Sequence, residues 1–220
     1  MRKCSCILSV MFLLFAGGAW AVDVDECLST AGLSCAQMKI TICPAGDFEY
    51  IAAGCGGTGG YLWIVARDHN GNPVRGIPRT DYWLDACAPG QRLFLSGESI
   101  IADSNSGSNG RTTFSGRIAG GGCTLTQGIR VAVQGKTIMR YDQCIAPLCL
   151  NIVIKGPDLT GAGGRPDGVV DLLDLATFGL SFRKGSGNPD FNPCCDFDDD
   201  NWCALGDFAF FRQHYQHRNH

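Results

Sequence analysis

Asp196-Phe197-Asp198-Asp199-Asp200-Asn201-Trp202-Cys203-Ala204-Leu205-Gly206-Asp207 carries carboxylates at its first, third, fifth and twelfth places. Calcium is a hard cation that takes six to eight oxygens, and a twelve-residue loop supplies them from positions 1, 3, 5, 7, 9 and 12 around a sharp turn at position 6. In this register Asp196, Asp198 and Asp200 take positions 1, 3 and 5. The Trp202 carbonyl takes position 7, Ala204 leaves position 9 to water, and Asp207 closes the loop. Asn201 stands at position 6, where glycine is usual; asparagine visits the left-handed region more readily than other non-glycine residues. A solvated acidic turn is the bland alternative. It does not explain the carboxylate at position 12, and adjacent carboxylates without a cation repel one another.

The same frame occurs 33 residues earlier: Asp167, Leu172, Asp174, Ala176 and Phe178 recur as Asp200, Leu205, Asp207, Ala209 and Phe211. An internal repeat takes precedence over other readings. The earlier copy opens with Asp158 and Thr160 at positions 1 and 3, but Ala162 to Pro166 intervene before Asp167 at position 5 and Gly168 at position 6. The Val169 carbonyl, Asp171 and Asp174 then fill positions 7, 9 and 12. Either this loop bulges and closes again, or it binds weakly or not at all. After the second loop, Asp207 to Tyr215 reads as a helix with Phe208, Phe211 and Tyr215 on one face.

Two half-hands, each a loop followed by one helix, resemble the duplicated EF-hand-type calcium loops of dockerins over Pro157 to about His217. The resemblance implies a small all-α calcium-binding domain over residues 156–220. It also implies folding on binding calcium and docking onto a cohesin-like or other extracellular protein partner. Members of that family are appended to extracellular glycan-degrading enzymes or surface proteins. Dockerins often carry a Ser-Thr type pair at loop positions 10 and 11, where this chain has Leu172-Leu173 and Leu205-Gly206, so the resemblance does not extend to a familiar cohesin.

Upstream, residues 22–155 show period-two alternation rich in β-branched and aromatic residues, as in Met38–Ile42, Tyr61–Val65, Arg92–Leu95, Thr113–Ser115 and Ile129–Val133. That period means strands. Asn70-Gly71, Asn109-Gly110, Gly56-Gly57 and Gly120-Gly121-Gly122 read as chain reversals. Short strands so joined predict a β-sandwich. Val65-Ala-Arg-Asp68-His-Asn-Gly-Asn-Pro-Val74, followed by Asn109-Gly110-Arg-Thr-Thr-Phe114-Ser-Gly116, resembles bacterial immunoglobulin-like repeats. The fold class expected is therefore a mainly β, immunoglobulin-like sandwich followed by the small helical dockerin-like domain.

Met1-Arg2-Lys3, the apolar run Ile7 to Phe15 and the small-x-small Ala19-Trp20-Ala21 read as a signal peptide over residues 1–21. The run is shorter than the roughly 20 residues of a membrane span, so a secreted or cell-surface protein without membrane insertion is expected. Of 13 cysteines, eleven follow that segment, a load that suits an oxidising compartment and disulfides. Eleven is odd, so at least one thiol lacks an intrachain partner. No Cys-x-x-Cys pair occurs among them. Of Cys194 and Cys195, one is expected to tie the loop to another cysteine such as Cys203. His214, His217 and His220 could gather on the last helical turn around a transition metal, but an exposed helix end is the reading preferred.

A net charge of -3 with scattered Lys and Arg gives no basic face for nucleic acid. Catalysis finds little support: neither Gly-x-Ser-x-Gly nor His-Glu-x-x-His occurs, and His69 sits in an expected turn. Glu49, Asp81, Asp85, Glu98 and Asp103 are acids that could pair as in a glycosidase, without a spacing that requires it. Tyr61, Trp63, Tyr82 and Trp83 could form a glycan platform, though core packing is the commoner use of such residues. A non-catalytic attachment protein is expected. Its rivals are a small polysaccharide-degrading enzyme with an appended dockerin, and a self-contained adhesive protein whose two domains pack together.

Overall fold

The computed structural model describes residues 23–46, 51–57, 59–87, 93–96, 100–140, 144–161 and 163–218. The signal-peptide segment, Glu49, Glu98 and His220 lie outside them. Among the described residues, a β-rich N-terminal region holds β1 (Thr30–Leu33), β2 (Met38–Thr41), β3 (Leu62–Val65), β4 (Tyr82–Ala86), β5 (Leu93–Ser96), β6 (Arg111–Phe114), β7 (Ala119–Thr124), β8 (Ile129–Val133), β9 (Lys136–Thr137) and β10 (Ile152–Lys155). A smaller C-terminal region follows with α1 (Leu172–Ser181), β11 (Lys184–Gly185), β12 (Trp202–Cys203) and α2 (Leu205–Gln213). The short β11–β12 ribbon departs from the all-α expectation.

The N-terminal strands form open sheets ordered β1-β3-β6, β2-β10-β7-β5 and β4-β8-β9. Alternation sets which side chains point inward. Leu62 and Ile64 of β3, Tyr82 and Leu84 of β4, and Ile129, Val131 and Val133 of β8 all enter one core. On the outer face of that last pair, Asp85 of β4 stands opposite Arg130 of β8, and their side chains meet at 2.6 Å. The two stretches that carry the immunoglobulin-like resemblance are neighbours: β3 pairs antiparallel with β6, Val65 opposite Arg111. Gly110, at φ 74°, packs against the Ala66 carbonyl and Pro73, where a Cβ would collide.

Strand β10 runs parallel to β2 and antiparallel to β7. Ile152 and Ile154 enter the main core, while Val153 and Lys155 are buried on the opposite face. Such two-sided burial produces a continuous apolar run, and Lys155 is its charged exception. Gly120-Gly121-Gly122 corrects one expectation. These residues lie within β7 instead of reversing the chain, because a Cβ on Gly121 would run into the Asp158 carboxylate and the Phe94 ring. The bare strand makes room for both.

Disulfides join Cys27 to Cys144, Cys35 to Cys55 and Cys87 to Cys149 within the β-rich region. Cys123 on β7 joins Cys194, two residues before the second acidic loop. Cys195 lies instead in hydrogen-bonding contact with Cys203. The C-terminal core gathers Leu159, Val170, Phe178, Cys195, Cys203 and Phe211. Phe178 and Phe211, equivalent residues of the sequence repeat, meet there with ring centroids 5.4 Å apart.

Candidate metal centre

Both acidic loops are built on one hydrogen-bond frame. At position 1, Asp196 accepts from the Asp200 N–H at 3.1 Å and the Asn201 N–H at 3.2 Å. Asp158 does the same in the first loop, from Asp167 at 3.3 Å and Gly168 at 2.8 Å. At position 5, Asp200 accepts from the Trp202 N–H at 2.7 Å and Asp167 from the Val169 N–H at 3.1 Å. Position 12 repeats the match. Asp207 accepts from the Phe197 and Ala204 N–H groups at 2.6 and 2.8 Å, and Asp174 from Leu159 and Asp171 at 2.7 and 2.8 Å, with Thr160 added at 2.8 Å. Position 6 is left-handed in both loops, Asn201 at φ 69° and Gly168 at φ 86°.

The first loop therefore closes despite its length, seventeen residues from Asp158 to Asp174 against twelve from Asp196 to Asp207. Between positions 3 and 5, Gly163, Gly164 and Arg165 are exposed, and Gly161 lies so close to the Asp167 carboxyl that a Cβ would overlap it. Each position-12 aspartate is also the third residue of its helix. Helix α1 adds an N-cap: Asp171 accepts from the Leu173 N–H at 2.7 Å. Ala204, its counterpart, has no side chain to do so; its N–H is bound to Asp207 and its carbonyl accepts from the Phe208 N–H at 3.1 Å.

Ligand-type oxygens of Asp196, Asp198 and Asp207 lie within 4.8 Å of one another, an arrangement able to hold a cation. Asp196 and Asp207 are buried and Asp198 is exposed. Asp200 stands outside that trio, turned to the Trp202 N–H. In the first loop, Asp158 and Asp174 are fully buried while Asp167 and Asp171 are partly or largely exposed. Burial pushes Asp158 up to about 7, with the neighbouring Asp174 and Asp167 charges adding to the rise. Burial likewise raises Asp174, Asp207 and Asp196, the last against the opposing charge of Lys155. Carboxylates held this far from water are the groups that gain most from a cation.

Lys155 is the residue that loop spacing does not reveal. It leaves the end of β10, buried at 5 % exposure, and its ammonium donates to the Asp196 carbonyl and to Asp199 at 2.6 Å, with the Asp196 carboxylate at 3.6 Å. Lys39 of β2 reaches Asp199 at 2.8 Å. Burial alone would raise Asp199, but hydrogen bonds from Lys155 and Lys39 hold it below its ordinary value. The available sequence signal was a single charge ending the apolar run Ile152-Val153-Ile154.

The residues weighed for other chemistry have structural neighbours. Asp85 is paired with Arg130, and Asp103 accepts from the Thr113 hydroxyl at 2.7 Å and the Ser115 N–H at 3.0 Å. His69 is exposed in the Asp68–Asn72 turn. Tyr82 is buried in the core, and Tyr61 and Trp63 each face the Arg111 guanidinium at 5.5 Å. No helix among the described residues is long and apolar enough to cross a membrane.

No protein-family model and no curated protein matches the chain. Among solved structures it is similar to a type II cohesin–X-dockerin complex from Acetivibrio cellulolyticus, a C-terminal interface mutant, at 13% identity, 86% coverage of this chain, 97% of that chain and a TM-score of 0.30. An N-terminal interface mutant of the same complex aligns at 11% identity with the same coverage and TM-score. The Yersinia pseudotuberculosis adhesin InvE aligns at 14% identity over 63% of this chain and 29% of that chain, again with a TM-score of 0.30. At that score the superpositions are loose, and the functional reading rests on the loops.

Proposed function

We propose that this chain is a secreted, non-catalytic calcium-binding attachment protein, with an immunoglobulin-like sandwich over residues 22–155 and a dockerin-like module over residues 156–220. One observation carries the reading: two loops, in register at an offset of 33 residues from position 5 to position 12, repeat the same carboxylate hydrogen bonds at positions 1, 5 and 12. Calcium in the second loop would be held by Asp196, Asp198, Asp200, the Trp202 carbonyl and Asp207. In the first loop the holders would be Asp158, Thr160, Asp167, the Val169 carbonyl, Asp171 and Asp174. The donors are all hard oxygens, the chemistry calcium requires. The ion's contribution is structural, because neutralising buried carboxylates couples binding to folding.

The repeat also places equivalent leucines on the surface. Leu172 and Leu205 are 67 % and 73 % exposed, with Leu173 and Trp202 beside them at 51 % and 55 %. Apolar residues left this exposed at the start of both helices suit a protein partner, cohesin-like or otherwise. A second reading is favoured by the bonds between the two regions at Lys155 and Cys123–Cys194: a self-contained adhesive protein that needs no cohesin.

Calorimetry on the chain from Val22 tests the calcium reading. Two ions are expected per chain, with one lost in Asp207→Ala and the other in Asp174→Ala. Absence of binding heat in the unaltered chain would end the proposal. Retention by cohesin domains, lost in a Leu172→Asp/Leu205→Asp variant that still binds calcium, would select the connector over the self-contained form.

A further inference from the structure

We propose that Cys43, His214 and His217 form a second metal site, selective for a divalent transition metal of the zinc class, at the seam between the two regions. Their ligand atoms lie within 4.8 Å of one another. The Cys43 Sγ is 3.3 Å from the His217 Nδ1, which is 3.2 Å from the His214 Nδ1. Tetrahedral zinc with Zn–S near 2.3 Å and Zn–N near 2.05 Å sets sulfur–nitrogen pairs about 3.5 Å apart and nitrogen pairs about 3.3 Å apart. The two observed spacings fall within a few tenths of an ångström of those values.

The hydrogen-bonding alternative fits less well. A ring nitrogen has one in-plane position, carrying either a proton or a lone pair. The His217 Nδ1 faces a thiol and a second imidazole nitrogen at once, so a proton there can serve both only as a shared, weakened bond. A cation at the centre takes one lone pair from each of the three. The two imidazole rings meet edge-on, their planes at 84° and their centroids 5.1 Å apart, rather than stacking.

The scaffold holds these groups from both sides. Cys43 follows β2 and is fixed by a bridge to Ala119 and by its carbonyl, which accepts from Gly120 at 3.2 Å and Gly46 at 3.0 Å. His214 is the C-cap of α2 and is 2 % exposed, so at this residue the exposed helix end expected from the sequence does not hold. Gln216 at φ 71° turns the chain back so that His217 lies beside it. The Gln216 N–H and His217 carbonyl bond Val170 of the first acidic loop at 2.7 and 3.0 Å. A metal here would fasten β2, the end of α2 and the first loop together.

Cys43 is buried and its sulfur is not taken up in any of the four disulfides. A buried thiolate with two imidazoles is a soft to borderline donor set, suited to zinc, cobalt or copper and unsuited to calcium. Three protein ligands leave a fourth position for water.

Cobalt(II) is the probe, titrated anaerobically into the chain from Val22 after chelator stripping and restoration of calcium. One equivalent should give the intense visible bands of tetrahedral cobalt and a sulfur-to-cobalt charge-transfer band in the near ultraviolet. Zinc should displace it, and excess calcium should not. Cys43→Ser should abolish the charge-transfer band. Because Cys43 is buried, His217→Gln on the half-buried ring carries the test independently, with affinity falling about tenfold or more. A full cobalt response in the presence of excess calcium separates this site from the calcium reading. A pale octahedral spectrum without charge transfer, or a charge-transfer band that survives Cys43→Ser, would overturn the proposal.

Discussion

Asp158 concentrates the energetic problem of the acidic loops, being fully buried with Asp174 beside it. In the folded, calcium-free chain its proton is held up to about pH 7, while the unfolded chain releases it near 3.8. Between those values the folded state binds more protons, so stability falls as pH rises across that window. Urea unfolding in chelator from about pH 4.5 to about pH 6.5 should show that decline, and Asp158→Asn should flatten it; a slope unchanged in the variant would count against the assignment. Calcium binding requires the ionised form, so affinity at the first loop should climb over the same range. Lys155 supplies the opposite kind of term. Removing one partner of a buried ion pair costs about 3 kcal/mol, so Lys155→Met should lose roughly that in chelator and less in calcium, where the ion still neutralises Asp196. Denaturant titrations in the two media would show whether the losses differ. The loop aspartates were legible in the sequence because their spacing is local. Lys155 was not, since it lies 41 residues from Asp196 and only the folded sheet brings them together.

Strands β2, β3 and β8 announce themselves by alternation, with core residues such as Ile40, Ile64 and Val131 on one face. Strand β7 does not, because Ala119-Gly120-Gly121-Gly122 has no side chains with which to alternate, and its glycines serve the close approach of Asp158 and Phe94. The helices show the reverse case, where repeat symmetry in sequence becomes contact in space. Phe178 of α1 packs on Phe211 of α2 and lies 6.1 Å from Phe208 and 6.3 Å from Phe197. Truncating a buried phenylalanine costs about 3–5 kcal/mol, so Phe178→Ala should abolish the calcium-dependent ordering of the small region, read as loss of near-ultraviolet aromatic dichroism. The bulge in the first loop is a different matter. Deleting residues 162–166 restores the twelve-residue frame, and closing seventeen instead of twelve residues differs by only about 0.3 kcal/mol. Calcium affinity at that loop should therefore change less than about twofold, and its disappearance in calorimetry would mean the bulge itself holds the frame.

At the scale of the whole molecule, the two regions are joined by more than the chain. Cys123 of β7 is bonded to Cys194, the Gly122 N–H donates to the Asp158 carbonyl at 2.7 Å, and Lys39 and Lys155 both reach Asp199. None of these joints was visible in sequence, because each links residues far apart along the chain. They tie both acidic loops to the β-rich region, so ion binding should be felt beyond the small helical unit. The Cys123–Cys194 loop spans 71 residues, and its entropic contribution is about 4 kcal/mol in the chain-entropy account. Thermal unfolding of the intact chain should accordingly appear as one transition that calcium raises, read by fluorescence of the β-region tryptophans as well as by helical dichroism. A Cys123→Ser/Cys194→Ser variant should unfold at lower temperature yet keep coincident probes, since Lys155 and the Gly122–Asp158 bond persist. If the two probes separate in the intact chain, with only the helical signal responding to calcium, the regions fold independently and the second loop's pairing with Lys155 does not transmit ion binding to the sheet.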